Sequence, residues 1–185
     1  MFDFFVIIRQ RRIIRQLLSL PRQKRISNIE EVQSMGLIFT VGSKEDWDII
    51  YHFAKDLETG KRKVYIIGYQ ASDTTINYIF THSRMVICHE KDDFLFARMP
   101  KADIVEPFLS QHFDVLIDAT KEPTFFSKYL SAKSQADLKV TYVNDNATAD
   151  DDSERIFDLL IHGNKPPVLQ NYLTDIVKYL SMVKK

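Results

Sequence analysis

The stretch Phe113-Asp114-Val115-Leu116-Ile117-Asp118 is an apolar run that ends in an acid, and a helical pattern over residues 123–134 follows it. A short continuous apolar run is typical of a buried strand in a parallel sheet, so the stretch predicts one βα unit. Ligands of such sheets bind at the carboxyl ends of the strands. Asp118 and Thr120, which end and follow the run, are therefore candidate ligand contacts.

Similar units flank this stretch on both sides. Residues 36–41 are apolar like a buried strand, and Ser43 is an N-cap residue with Asp46 at the capping-box position. A helical pattern follows, which we expect to end in a left-handed cap at Gly60. The alternation of strands and helices predicts a doubly wound, mostly parallel α/β sheet of five to six strands, Rossmann-like or flavodoxin-like, over residues 36–185. We predict its other elements at residues 63–68, 75–80, 85–88, 104–111, 138–143, 157–161 and 168–182.

Residues 1–35 are predicted to be a basic amphipathic helix and a connector ahead of the α/β domain. The helix covers residues 2–20, and Pro21 ends it. It carries more apolar side chains than a lone solvated helix exposes, namely Phe2, Phe4, Phe5, Ile7, Ile8, Ile13, Ile14, Leu17 and Leu18. We expect these side chains to be buried against another surface. The candidates are the core, a second copy in a homodimer through residues 2–20, or an anionic membrane surface.

The distribution of apolar residues and arginines around the helix indicates which of these surfaces it contacts. Phe4, Ile7, Ile14, Leu17 and Leu18 fall near one face, and arginines take much of the rest. Arginines beside a Phe- and Ile-rich surface favour an anionic membrane, whereas a homodimer tolerates them only at the rim of its interface. We expect the core or a homodimer to cover the helix first, with membrane contact second.

Composition narrows the class of protein. The chain has 25 basic and 25 acidic residues, so its overall charge does not indicate nucleic-acid binding, and we expect none. Cys88 is the single cysteine, which excludes an intrachain disulfide and favours a reducing compartment. No apolar stretch approaches the roughly 20 residues that span a bilayer, and no secretory signal begins the sequence. We expect a cytoplasmic protein, with association to a membrane through the helix as the alternative.

The candidate ligand contacts are Ser43, Asp118, Thr120 and His162, because each follows or ends a predicted strand. For Asp118 and Thr120 the competing interpretation is a helix cap, and for a loop histidine it is an ordinary turn residue. Cys88 and His89 are adjacent in a predicted strand and point to opposite faces, so Cys88 is expected to be a small core residue. The histidines show no metal-ligand spacing, and we predict no metal site.

No motif specifies a reaction, so we assign no catalytic residue and no cofactor. The α/β core lacks a phosphate-loop lysine and a glycine-flanked serine, and it is joined to a basic amphipathic helix. This combination favours a non-catalytic binding or interaction module that the N-terminal helix recruits to its partner. The alternative is a small enzyme or a binder of nucleotides or sugar nucleotides that uses the carboxyl edge of the sheet.

The sequence resembles a family of small Bacteroidota proteins in which a basic N-terminal helix precedes a Rossmann-like domain. The resemblance covers most of the chain, and its most specific part is Ser131-Ala132-x-Ser134-x-Ala136 followed by Lys139-Val140. It implies the fold and a bacterial host, but no reaction. A weaker likeness is to the N-terminal domain of heptosyltransferase-type glycosyltransferases, which carry a Gly-Asp pair after their first strand. Here that position is Val41-Gly42-Ser43, and the chain has no room for the second domain that holds the sugar nucleotide.

Overall fold

A computed structural model describes residues 2–58, 61–71, 83–121, 123–144, 153–163 and 168–184. The predicted helix at residues 75–80 and the predicted cap at Gly60 lie outside the described residues. Across the described residues, no helix is long and apolar enough to cross a membrane.

Apolar runs of the sequence form the strands of the molecule. The main sheet is parallel and has six strands, which lie side by side in the order β3-β2-β1-β6-β7-β8, while β4 and β5 form a separate antiparallel pair. The strands are β1 (Ser34–Thr40), β2 (Lys63–Gln70), β3 (Met85–His89), β4 (Phe94–Leu95), β5 (Met99–Pro100), β6 (Val115–Asp118), β7 (Leu138–Asn144) and β8 (Leu159–Gly163).

Helices cover both faces of the sheet, as parallel strands require. On one face, α2 and α7 enclose a core that contains Trp47, Ile50 and Leu173, and on the other face α1, α4, α5 and α6 enclose a core that contains Phe113 and Phe126. The helices are α1 (Phe2–Leu18), α2 (Lys44–Glu58), α3 (Glu90–Asp93), α4 (Ala102–Leu109), α5 (Phe125–Lys133), α6 (Ser153–Ile156) and α7 (Leu169–Met182), and a 3₁₀ turn occupies Phe96–Arg98.

The predicted α/β fold is confirmed, and the strand order specifies its type. Taken along the chain, the six strands of the main sheet follow the order 3-2-1-4-5-6, which is the Rossmann order, whereas flavodoxin-like sheets have 2-1-3-4-5. The order reverses between β1 and β6. At this point the crossovers on either side lead to opposite faces, which opens a crevice beyond the carboxyl ends of the two strands.

For two of the predicted element bounds, the contacts show why the structure differs. The sixth strand was predicted at residues 157–161 but is Leu159–Gly163, because the Asp158 carboxylate is held by Arg22 and by the Lys139 N–H group at the entry to the strand. The fourth helix was predicted from residue 104 but begins at Ala102 and passes through Pro107. The helix loses one hydrogen bond at this proline, and it keeps its packing through other residues that lie buried against the sheet.

The N-terminal helix α1 docks on the core through its C-terminal half. Ile14 is 2% exposed, and Leu17 and Leu18 pack against the same cluster. Phe4 and Ile7, which the sequence predicts near the same helix face, lie in the N-terminal half and are 63% and 46% exposed. The side of α1 that meets the core carries Ile14 and Leu17, and this turns Phe4 to the outside. Core packing thus covers the C-terminal half of the helix and leaves Phe4, Phe5 and Ile8 of the N-terminal half exposed.

Candidate functional site

Ser43 and its neighbours form the carboxyl edge of the sheet beside β1. The Ser43 Oγ accepts a hydrogen bond of 3.1 Å from the Asp46 N–H group, so the predicted N-cap of α2 is confirmed. Asp46 in turn forms an ion pair of 2.7 Å with Lys121, which follows β6. This pair bridges the crevice between β1 and β6. The first turn of α2 also carries Glu45, so two carboxylates lie at the helix N-terminus where Rossmann proteins bind phosphate.

Asp118 is fully buried at the end of β6. Its Oδ1 accepts hydrogen bonds from the N–H group and the hydroxyl of Thr120, at 3.0 and 2.6 Å, and its Oδ2 has no partner among the described residues. Burial raises the pKa of this carboxyl, against the smaller opposing effect of the Thr120 bonds. The Tyr172 hydroxyl donates to the main-chain oxygen of Asp118 at 2.9 Å. Asp118 is therefore a buried residue whose hydrogen bonds stabilise the turn after β6.

Neither Asp118 nor Thr120 caps the helix that follows β6. Thr124 is the N-cap of α5, and it exchanges hydrogen bonds of 3.2 Å with Ser127 in a capping box. The interpretation of Asp118 or Thr120 as the cap was therefore wrong. Their side chains bond to each other, and the chain continues for four residues before α5 begins.

His162 lies apart from the other candidate contacts. It is exposed on β8, the edge strand, and Asp118 is two strands away on β6. In the register, Asp118 pairs with Thr141, which pairs with Leu160, so His162 is two residues further along. Strand spacing puts the two residues on the order of 10 Å apart across the sheet. Of the predicted contacts, the structure brings Ser43, Asp118 and Thr120 to the crevice and leaves His162 outside it.

The motif that carries the family resemblance is a buried packing element. Ser131, Ser134 and Lys139 all lie in the interior between α5 and β7. Burial lowers the pKa of the Lys139 amine to about 7, with a further contribution from the positive charge of Arg22. The sequence showed the motif but could not show that its lysine is 2% exposed.

Arg22 in the connector organises the amino edge of the sheet. Its guanidinium binds both Asp158 carboxylate oxygens, at 2.6 and 2.7 Å, and also donates to the main-chain oxygens of Ala136 and Asp137. Lys24 adds a second ion pair to Asp158 at 2.9 Å. These bonds fasten the connector, and with it the end of α1, onto the α/β core. Hydrogen bonding to the carboxylate form holds the pKa of Asp158 below its usual value, although burial opposes this.

A histidine and two aspartates meet at the same edge. The ligand atoms of His112, Asp114 and Asp137 lie within 4.8 Å of one another. The Asp114 Oδ2 already accepts hydrogen bonds from the N–H groups of Gln33 and Ser34, at 2.7 and 2.9 Å. This carboxylate therefore serves the start of β1. The absence of a metal site stays a prediction.

Cys88 has the environment that the sequence predicted for it. It is buried on β3, and burial raises the pKa of its thiol to about 12, with a smaller contribution from the carboxylate of Asp93. A thiol in this state is a weak nucleophile. The prediction of a small core residue is confirmed.

The outward face of α1 combines exposed apolar side chains with positively charged ones. Phe4 and Ile8 are 63% and 47% exposed, and Arg11 and Arg15 continue the same stripe at helical spacing. Among the described residues, no acid lies within ion-pair distance of Arg11, Arg12 or Arg15. We call this surface the α1 stripe and define it as Phe4, Phe5, Ile8, Arg11, Arg12 and Arg15.

Most of the chain matches a protein family. The profile of a family described as "Family of unknown function (DUF6913)" matches residues 8–183. No curated protein matches the sequence. The bacterial host and the likeness to glycosyltransferases, which the sequence suggested, stay predictions.

Proposed function

We propose that this chain, which belongs to the DUF6913 family of unknown function, is a non-catalytic α/β binding module that its N-terminal helix holds against an anionic membrane surface. The observation that carries the proposal is the α1 stripe, in which exposed aromatic and aliphatic side chains continue directly into arginines that form no ion pair with an acid of the described residues. A helix with this composition lies at the boundary between lipid head groups and acyl chains, with its apolar side chains inserted by about 5–10 Å.

The geometry of the stripe suits a tilted helix. Phe4 and Phe5 lie near the N-terminus, whereas Arg15 lies about 16 Å further along the axis, given the rise of a helix. An inserted N-terminal end therefore leaves the arginines at the level of the lipid phosphates. Each arginine contributes about 1 kcal/mol near an anionic surface, and each large apolar side chain contributes up to about 1.5–3 kcal/mol on full burial.

A homodimer through the same surface is less compatible with the charges. In a two-fold symmetric interface, the stripe of one copy meets the stripe of the other. Arg11, Arg12 and Arg15 lie on the same face as Phe4 and Ile8, so an interface that buries the apolar residues also takes these arginines out of water. Burying a charged side chain without an acidic partner is costly. An anionic lipid surface gives these arginines partners instead.

Vesicle flotation of the full chain tests the proposal. We expect the protein to float with vesicles that contain phosphatidylserine, to stay behind with pure phosphatidylcholine, and to lose binding at high salt. The double variants Phe4→Ser with Ile8→Ser and Arg11→Gln with Arg15→Gln should each abolish flotation. A matched control replaces Ile26 and Val168, which are 62% and 65% exposed elsewhere, with serine, and it should float normally.

Light scattering of the same variants separates membrane binding from self-association. If the chain is a dimer without lipid and the Phe4→Ser, Ile8→Ser variant is a monomer, the stripe is a dimer interface and the proposal fails. Equal flotation with neutral and anionic vesicles would also contradict it, because the arginines would then have no role.

A second candidate function is the binding of a nucleotide or sugar nucleotide at the carboxyl edge. The Rossmann strand order favours it, because the crevice between β1 and β6 is where such sheets hold nucleotides. Ser43, Asp118 and Thr120 flank that crevice, while the Asp46 carboxylate and its ion pair with Lys121 stand in the position of a phosphate. A thermal-shift screen with nucleotides, nucleotide sugars and flavins tests this candidate. A concentration-dependent rise in Tm that Asp46→Asn enhances would support it, and no response in the folded protein would reject it.

A further inference from the structure

A cavity of about 440 Å³ lies between α1 and the carboxyl edge of the sheet, away from the α1 stripe. Its volume is within the range of small-molecule sites, which is about 300–1,000 Å³. One wall comes from Val6, Ile7 and Gln10 of α1, and the opposite wall comes from the end of β2, from β4 and from the start of α5. The cavity therefore exists only while α1 is docked.

Aromatic rings form the inner wall of the cavity. The ring centroids of Tyr69, Phe94 and Phe126 are 5.5, 5.5 and 5.6 Å apart, so the three rings form a compact triangle. Two of the pairs are tilted and one is edge-on, so the three rings do not share a plane. A flat aromatic ligand finds both stacking and edge contacts against such a wall.

Arg98 gives the cavity a positive charge. Its side chain is the one charged group among the described residues that line the cavity. The acid nearest to it in the described chain, Glu90, is 3.8 Å from its Nε, and the Arg98 side chain is 73% exposed, so this pair holds the guanidinium weakly. Glu90 is also a hydrogen-bond partner of the Tyr69 hydroxyl, so its carboxylate lies near both Tyr69 and Arg98.

The backbone around Arg98 is held in a conformation that non-glycine residues rarely adopt. Ala97 and Arg98 have φ values of 61° and 57°, both left-handed. The Gln10 side-chain amide donates to the Ala97 main-chain oxygen at 2.9 Å, so α1 itself fastens the turn that carries the arginine. Non-glycine residues held in this region are strained and are common at ligand sites.

We infer that this cavity is a binding site for a small flat aromatic anion, whose ring contacts the wall of Tyr69, Phe94 and Phe126 and whose carboxylate or phosphate binds the Arg98 guanidinium. The inference is independent of membrane binding, because no residue of the α1 stripe lines the cavity. Occupation of the site would strengthen the docking of α1, since both walls would contact the ligand.

The alternative occupant is an aromatic cation, because an aromatic wall also attracts quaternary ammonium groups. Arg98 opposes such a ligand and Glu90 favours it, so the charge on the ligand decides between the two. Probes that share one phenyl ring and differ in charge make the test direct. These probes are phenyl phosphate, phenol and phenyltrimethylammonium.

The experiment is calorimetric titration of each probe into the full chain, with thermal shift as a second readout. We expect saturable binding of phenyl phosphate, at least tenfold weaker binding of phenol, and none of phenyltrimethylammonium. Arg98→Gln should weaken phenyl phosphate at least tenfold, which is the usual effect of losing a charge-assisted hydrogen bond, and Arg98→Lys should recover part of the loss. Phe94→Leu should weaken phenyl phosphate and phenol alike.

Arg11→Gln is the matched control, because it removes an arginine from the other side of α1, and it should bind phenyl phosphate normally. Circular dichroism confirms that each variant is folded. The inference is overturned if phenyltrimethylammonium binds as tightly as phenyl phosphate, if Arg98→Gln binds phenyl phosphate unchanged, or if the folded chain takes up none of the probes at about 10 mM, well beyond the weakest affinities of specific sites.

Discussion

Replacement of the buried Lys139 by methionine should stabilise the protein, by an amount that depends on pH. Lys139 lies inside the fold near Asp158, and its pKa is lowered from 10.5 to about 7, first by burial and then by the charge of Arg22. Methionine has a similar length and no charge, so Lys139→Met keeps the packing of the side chain and removes the cost of burying an ammonium group.

The magnitude and its sign follow from the two pKa values. Below pH 7 the amine is charged in both the folded and the unfolded chain. Burial of the charge then lowers the free energy of unfolding by its full amount, at most about 5 kcal/mol for pKa values of 10.5 unfolded and about 7 folded. Between pH 7 and 10.5 only the unfolded chain is charged, and the cost decreases as the pH rises. We therefore expect the variant to exceed the natural chain in free energy of unfolding by up to about 5 kcal/mol at pH 7 and by about 2 kcal/mol at pH 9.

Urea denaturation of both chains at pH 7 and pH 9 measures this difference. Lys24→Met is the matched control, because Lys24 also binds Asp158 but has a side chain that is 66% exposed. Its effect should be small and nearly the same at both pH values. A gap between Lys139→Met and the natural chain that does not narrow from pH 7 to pH 9 would refute the reasoning, as would a destabilised variant.

Two further substitutions test the packing of the fold by urea denaturation. Arg22→Met should lower the free energy of unfolding by about 3 kcal/mol, because it leaves the half-buried Asp158 without its bidentate partner, and a loss below about 1 kcal/mol would contradict the role given to the connector. Gly68→Ala should lower the free energy of unfolding by about 1–3 kcal/mol, because an added Cβ would lie 2.7 Å from the Phe39 ring and from Ile87. Gly42→Ala should leave the free energy of unfolding nearly unchanged, because its Cβ would meet no atom closer than 3.6 Å. Equal effects of the two glycine substitutions would refute the packing argument.

The sheet could be predicted from the sequence because its strands are short apolar runs separated by polar turns. Val115–Asp118 and Met85–His89 were recognisable in this way, since strands that are covered on both faces need apolar residues throughout. The entry to β8 was misplaced because Phe157 lies next to the apolar run Leu159-Leu160-Ile161 and resembles its first residue. The contact that sets the start of β8, from Arg22 to Asp158, spans 136 positions of the chain and leaves no local signal.

The candidate site was less accessible to sequence reasoning than the fold. Residue type and position after a strand led to Ser43, Asp118 and Thr120, but they could not reveal that Asp118 would be fully buried. His162 was grouped with them because strand order cannot be read from one sequence, and its edge position became visible only in the sheet. The cavity beside α1 had no signal either, since residues as distant as Gln10 and Phe126 meet there only after folding.

The depth of α1 in a lipid bilayer tests the central claim most directly. A spin label attached to Ile8→Cys can be compared with one attached to Lys55→Cys, which is an exposed position on α2 at the opposite face of the sheet. The natural Cys88 should stay unlabelled, because it is buried and the pKa of its thiol is raised. On vesicles that contain phosphatidylserine, we expect the Ile8 label to become accessible to oxygen and protected from water-soluble relaxants, while the Lys55 label stays in water. An Ile8 label that remains in water on vesicles to which the protein is bound would contradict the account.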